Sequence, residues 1–245
     1  MRMRFLALLW LVAAPLHAAG SLLVWPVDPV IEADARAVAL LLENRGDEPL
    51  LLQVRVFGWT QQQGENRHDP QNEVVGTPPM VEIAPGKRQL VRLTRIAAVP
   101  AGLELAYRVI VDEIPRAMAG GTPAGAGVQF QMRYSIPLFV YGEGLRPVRA
   151  QGKAGAPPLP LKWRIVEQGG IRYLEVHNQG AVHARLTAAE LRRGNVRVGM
   201  ADGLLGYVLA GATMRWRLPD EAPQQATFLA SVNGAEASAL APVPN

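Results

Sequence analysis

Short apolar runs broken by Gly and Pro recur along the whole of this chain, and long helical periodicity is hard to find. Its 245 residues include 24 Gly and 20 Pro. Runs of this length, bounded by turn residues at regular spacing, are the signature of strands in sandwiches. The first half predicts strands at Leu22–Val27, Val38–Asn44, Leu50–Thr60, Met80–Ile83, Gln89–Arg95, Glu104–Glu113 and Val128–Val140.

About seven strands in roughly the first 120 mature residues is the count of an immunoglobulin-like sandwich. After Val140 a Gly/Ala/Pro-rich stretch runs to Pro160 and reads as a hinge. Strands then resume at Leu161–Glu167, Ile171–Asn178, Ala184–Leu191, Leu205–Leu209, Thr213–Leu218 and Ala226–Val232, with a short last one near Ala237–Ala241. The fold class expected is all-β: two immunoglobulin-like sandwiches, residues 20–141 and 142–245, joined by a short hinge.

Two local patterns repeat in the same order. Asn44-Arg45-Gly46 ends one strand, and Asn178-Gln179-Gly180 ends another. Asn and Gly tolerate the backbone such turns require. Further on, Gly86 precedes Arg92 and Gly211 precedes Arg217 by the same step. Together they suggest two domains of one kind.

The N-terminus bears on the compartment. Met1-Arg2-Met3-Arg4 is a basic start, Phe5–Leu16 is apolar, and Leu16-His17-Ala18 offers a cleavage point. This is the layout of a secretory signal peptide over residues 1–19, too short in its apolar run to span a bilayer. No later stretch approaches the ~18 uncharged apolar residues of a membrane helix, so stable membrane insertion is not expected. Loss of Arg2 and Arg4 leaves 23 basic residues against 21 acidic ones, net +2 and spread along the chain. Nucleic-acid binding needs clustered cations, which are absent. There is no cysteine. An exported chain without disulfides must be stabilised by its cores alone, which requires domains of reasonable size.

Sites of chemistry are scarce. There is no Gly-x-Ser-x-Gly elbow and no His-Glu-x-x-His pair. His177 and His183 flank a predicted turn, but no cysteine or carboxylate cluster joins them to make a metal site. Residues 120–127 are glycine-rich but lack the Lys-Ser/Thr of a phosphate loop. Asp112 and Glu113 are adjacent on a strand, so they face opposite ways and cannot act as a carboxylate pair. An enzyme is not expected, nor a cofactor, nor a metal.

The run at 127–139 stands out. Val128, Phe130, Met132, Tyr134 and Ile136 alternate with Gln129, Gln131, Arg133 and Ser135. A strand of this period presents one apolar face. Either the protein's own core covers that face or another protein does.

Several segments resemble one family. Thr77-Pro78-Pro79-Met80, Ala84-Pro85-Gly86, Val91-Arg92-Leu93, Asp112-Glu113-Ile114-Pro115 and Ile136-Pro137-Leu138-Phe139 stand in the order seen in periplasmic pilus-assembly chaperones of the chaperone–usher pathway. Details look most like the archaic, spore-coat-U-type branch. The resemblance implies a periplasmic chaperone that works without ATP. Its last strand of domain one would complete pilus or fimbrial subunits lacking a strand and hand them to an outer-membrane usher. It places subunit contacts at Val128, Phe130 and Met132, with Tyr134 on the same face, and roots Ile136–Phe139 in domain one. An exposed apolar edge also leaves self-association of the free chaperone through this strand open, a point the sequence does not decide.

The resemblance fails at one point. Better-known branches grip the subunit's C-terminal carboxylate with an Arg on the first strand and a Lys on the last. Here those positions fall near Asp28-Pro29 and on Pro137. Arg108 is the leading substitute, since a guanidinium inside an apolar strand is costly unless paired, and its planar fork suits a carboxylate. The competing reading is a structural ion pair to Glu113 or Glu104. Arg92 and Arg95 are the next candidates for the anchor. The rival function is an exported two-domain immunoglobulin-like binding or adhesin module.

Overall fold

Alternation of inward apolar and outward polar residues builds two sandwiches in succession. The computed structural model describes residues 22–115, 131–147, 159–201 and 203–244. The expected leader, Val128 and Phe130 lie outside them. In the first sandwich the strands are β1 (Leu22–Trp25), β2 (Val30–Ile31), β3 (Ala37–Asn44), β4 (Leu50–Gln62), β5 (Glu65–Pro70), β6 (Val74–Thr77), β7 (Met80–Ile83), β8 (Arg88–Arg95), β9 (Glu104–Glu113) and β10 (Arg133–Tyr141). The second contains β11 (Leu161–Gln168), β12 (Ile171–Asn178), β13 (Ala184–Arg193), β14 (Val196–Gly199), β15 (Leu204–Val208), β16 (Thr213–Arg217), β17 (Thr227–Val232), β18 (Ser238–Ala239) and β19 (Ala241–Pro242).

In the first sandwich, β1-β3-β8-β6 faces β2-β10-β9-β4-β5, with β7 paired to β4. Between them lie Leu40, Leu42, Val91 and Leu93 from one sheet and Leu52, Val54, Val109, Val111, Leu138 and Val140 from the other. Each such side chain contributes about 1.5–3 kcal/mol on burial. In the second sandwich, β16-β12-β11-β19 faces β14-β13-β17-β18, with β15 paired to β13. Trp163, Leu174 and Val176 meet Leu186, Leu191 and Phe228 there, and the Trp163 indole donates to the Leu240 carbonyl at 2.9 Å.

β2, β5, β6 and β14 have no counterpart among the expected strands. β5 is exposed at every position, so no apolar alternation marks it; its pairing with β4 makes it a strand. The repeated Asn-Gly turns are structurally equivalent. Asn44 is fully buried; its amide donates to the Glu48 and Ile83 carbonyls and its oxygen accepts from Gly46 N–H. Asn178, also fully buried, donates to Val182 and Val208 and accepts from Gly180. Gly86 and Gly211 both adopt positive φ, +66° and +67°. The backbone N–H of each asparagine donates to the residue after one of these glycines, Lys87 and Ala212 respectively.

Candidate functional site

Strand parity decides what the outer face of the larger first-domain sheet presents. Tyr107, Val109 and Val111 of β9 turn inward. Glu104, Ala106, Arg108, Ile110 and Asp112 therefore turn outward. Across the sheet, Arg108 lies between Pro137 of β10 and Phe57 of β4, and Asp112 lies between Arg133 and Gln53. One end of this face meets the second domain, and the other carries an ionic cluster.

At the domain junction, Trp59, Phe139 and Tyr141 of the first domain pack with Val182, Tyr207 and Leu209 of the second. His183 stacks flat on Phe139, with centroids 3.5 Å apart and planes 6° off parallel. Its backbone N–H donates to one Glu104 oxygen, and its Nδ1 meets the other, both at 2.8 Å. Gln61 reaches across twice, donating to the Tyr207 carbonyl at 2.9 Å and accepting from Leu209 N–H at 2.8 Å. Arg215 N–H donates to the Gly64 carbonyl at 3.1 Å. Gly64 is required there: φ is +84°, and a Cβ would sit 2.6 Å from Arg215 Cγ. The buried Tyr141 hydroxyl lies beside Glu104 without completing a well-aligned hydrogen bond. Burial, and then the Glu104 charge, push its pKa up.

Arg108 stands at the rim of this junction. Its guanidinium carbon lies 3.8 Å from the Trp59 ring centroid and 5.5 Å from that of Tyr207. Cation–π contact of this kind holds a guanidinium by its face. Its Nε is buried without a hydrogen-bond partner. Burial lowers the Arg108 pKa, yet arginine stays charged in proteins. His68, opposite Trp59 on β5, has its pKa lowered by burial and then by the Arg108 charge. Among the described residues no carboxylate lies within ion-pair distance of Arg108. Glu104, one of the two acids expected as its structural partner, is bonded to His183 instead.

At the far end, Asp112 is gripped by Arg55 at 2.6 Å and Arg133 at 2.5 Å. Burial pushes its pKa up, but the hydrogen bonds from Arg133 and Arg55 outweigh that, and the net shift is downward.

The other residues singled out from the sequence separate. Met132 lies just ahead of β10, 45% exposed, and its carbonyl accepts from Glu113 N–H at 3.1 Å. Tyr134 is half-buried and packs against the first core. Ile136 is inside that core, and Phe139 belongs to the junction. Arg92 is exposed on β8, in the opposite sheet from Arg108. Arg95 donates to the Ala35 and Ala33 carbonyls at 2.8 and 2.7 Å. His177 faces the Ala212 carbonyl and Thr213 hydroxyl rather than His183.

Trp59 and Tyr207 are site residues that the sequence did not single out, and His183, weighed there only as a metal ligand, is instead a junction residue. Trp59 did carry a signal: it falls at an outward position of β4, where a solvated face calls for polar side chains.

β10 pairs with β9 over its whole length but with β2 only at Phe139 and Val140. From Arg133 to Leu138 its second edge is therefore unpaired among the described residues.

Residues 27–146 match the pili and flagellar-assembly chaperone family, PapD N-terminal domain. A chain of the CsuC–CsuE chaperone–tip adhesion subunit complex, from the archaic chaperone–usher Csu pili of Acinetobacter baumannii, is 31% identical. It covers 91% of this chain and 100% of its own length, with a TM-score of 0.75. The chain belongs to the pilus-assembly chaperones. This chaperone is also 26% identical over 174 residues to the probable fimbrial chaperone YadV of Escherichia coli K12, across 69% of its own chain and 67% of YadV. It shares its fold with the Salmonella enterica SafA pilin–SafB chaperone structure, at 17% identity and a TM-score of 0.59, covering 89% and 93% of the two chains. Chaperones of this pathway are periplasmic.

Proposed function

We propose that this chaperone completes pilus subunits that lack a strand by lending them the start of its last first-domain strand, and passes them to an outer-membrane usher without ATP. The observation that carries this reading is the open edge of β10 from Arg133 to Leu138. An open edge supplies main-chain hydrogen bonds to an incoming strand whatever its sequence, while alternate side chains fill pockets. Met132 continues the alternation upstream of β10, and Phe130 and Val128 extend it in sequence. Three such side chains buried in a subunit groove contribute roughly 5–9 kcal/mol before ordering costs. That holds a subunit and still permits its release. Tyr134 sits at the boundary, on the same face, where the strand passes from partner to own core.

Arg108 receives the subunit's C-terminal carboxylate in this reading. Its face rests on Trp59, its Nε lacks a partner, and it stands on the outer face of the sheet that carries β10. Arg92, on the other sheet, serves less well. Residues 1–19 direct export and are removed, and the hinge between residues 20–141 and 142–245 follows Tyr141.

Co-expression with a subunit encoded by neighbouring genes tests the reading. Phe130→Asp should leave a folded chaperone that co-purifies no subunit. An unfolded Phe130→Asp, or one that still retains the subunit, overturns the assignment. Arg108→Ala should lower subunit yield; an unchanged yield removes Arg108 as the anchor.

A further inference from the structure

We propose that Arg185, in the second domain, is the second cation of the subunit-carboxylate anchor, held beside Arg108 by the Tyr207 ring. This rests on the reading that Arg108 receives the carboxylate, and it adds a residue from the other domain.

Arg185 of β13 and Tyr207 of β15 are direct cross-strand partners. Their side chains therefore rise on the same face, with Cβ atoms about 5 Å apart. Tyr207 meets Trp59 edge-on, with centroids 5.5 Å apart and planes at 81°, and lies 5.5 Å from the Arg108 guanidinium. The Tyr207 ring thus has the Arg108 guanidinium beside it and Arg185, from its own domain, rising on the same face. The backbone beneath Arg185 is fixed: its N–H donates to Asn233 Oδ1 at 2.7 Å, its carbonyl accepts from Asn233 N–H at 2.9 Å, and Asn233 Nδ2 donates to the His183 carbonyl. Burial raises the Tyr207 pKa, and the Arg185 and Arg108 charges oppose that rise.

The surrounding charges leave room for an added anion. Glu104 is occupied by His183. Asp28, which also acts on Tyr207, is solvent-exposed. Among the described residues neither Arg108 nor Arg185 has a carboxylate within ion-pair distance. Two cations converging on one ring repel unless an anion joins them. A carboxylate between them has a planar fork on each side, the geometry at which arginine excels. With Asp28-Pro29 and Pro137 at the family's usual cation positions, the second charge comes from across the cleft. Carboxylate binding then reads the arrangement of the two domains as well as the β10 edge.

The test uses the full mature chaperone and two acetylated peptides of one alternating apolar sequence, one ending in a free carboxylate and the other in an amide. Binding is followed by NMR titration. The wild type should prefer the carboxylate at least about tenfold, the size of one charge-assisted hydrogen bond. Arg108→Ala should abolish that preference. Arg185→Ala, and Arg185→Gln as a variant that retains side-chain length, should reduce it several-fold, and Arg185→Lys should restore part of it. Arg197→Ala removes the same charge from exposed β14 and should leave the preference intact. If Arg108→Ala loses the preference and both Arg185 variants keep it, the inference is overturned and the Arg108 anchor stands. An equal loss in Arg197→Ala also overturns it, by assigning the effect to net charge. If the wild type shows no preference, or Arg108→Ala keeps it, the anchor reading itself fails and this inference with it.

Discussion

In the first sandwich Asn44 bonds to two carbonyls and a turn N–H, and in the second Asn178 does the same with the same geometry. The final strands differ. β10 is nine residues long and, among the described residues, keeps one edge open from Arg133 to Leu138. Its counterpart ending the second sandwich is broken into β18 and β19, two residues each, paired to opposite sheets. A split strand closes its sandwich and has nothing to lend. On the proposed reading, subunit binding draws on the length and edge of a single strand, added to a construction both domains share.

The largest effect should come from separating the two halves of that strand. Ile136→Asp places a charge in the first core, where Ile136 is 6% exposed, and should cost upwards of about 4 kcal/mol. Met132→Asp, at an exposed position, should change stability by less than about 1 kcal/mol yet abolish subunit retention. Urea denaturation alongside co-purification measures both. Equal destabilisation by the two changes would erase the division between root and donor.

Next come the paired asparagines. Asn44→Ala and Asn178→Ala each leave three buried or partly buried backbone groups without their partner and should each cost about 2–5 kcal/mol. Values within about 1 kcal/mol of each other would fit a shared construction; a large effect in only one domain would break the equivalence.

Gln61→Ala removes two hydrogen bonds between the domains. It should cost about 1–3 kcal/mol and broaden the spread of domain angles seen by small-angle scattering. An unchanged scattering profile would leave the aromatic cluster and the His183–Glu104 contact as sufficient to set the angle.

The smallest effect concerns acid. Asp112 in the first domain and Glu175 in the second each sit between two arginines. For both, burial raises the pKa but the arginine hydrogen bonds more than offset it, so the folded value is lowered. A lowered folded pKa stabilises above the unfolded value, and that contribution is lost as pH falls from about 4 toward the folded value. The arginines are partly exposed, so solvent screening holds each contribution to about 1 kcal/mol or less. Asp112→Asn and Glu175→Gln should each flatten the acid limb of a stability–pH curve by a similar amount; a steeper limb in either variant contradicts the shifts.

Apolar alternation makes β3, β4, β8 and β9 legible in the chain itself, and the Asn-Gly repeat announces a second domain of the same kind. β5 is illegible there because its residues are all exposed and only the β4 ladder orders them. Arg108 is legible as an anomaly, a cation within an apolar strand. Its surroundings are not: Trp59 comes from β4, while Tyr207 and Arg185 come from the other domain.

Most of the strands, their faces and the family are written in the chain itself, because period-two patterning and turn chemistry are local. How that pattern is shared between own core and open edge follows from packing. Docking of the second domain onto Phe139 and Tyr141 fixes where β10 is rooted, and the partial β2 pairing leaves its other edge open. The same docking brings Tyr207 of the second domain to the Arg108 rim, since contacts between distant strands follow from packing and leave no periodic trace in the chain.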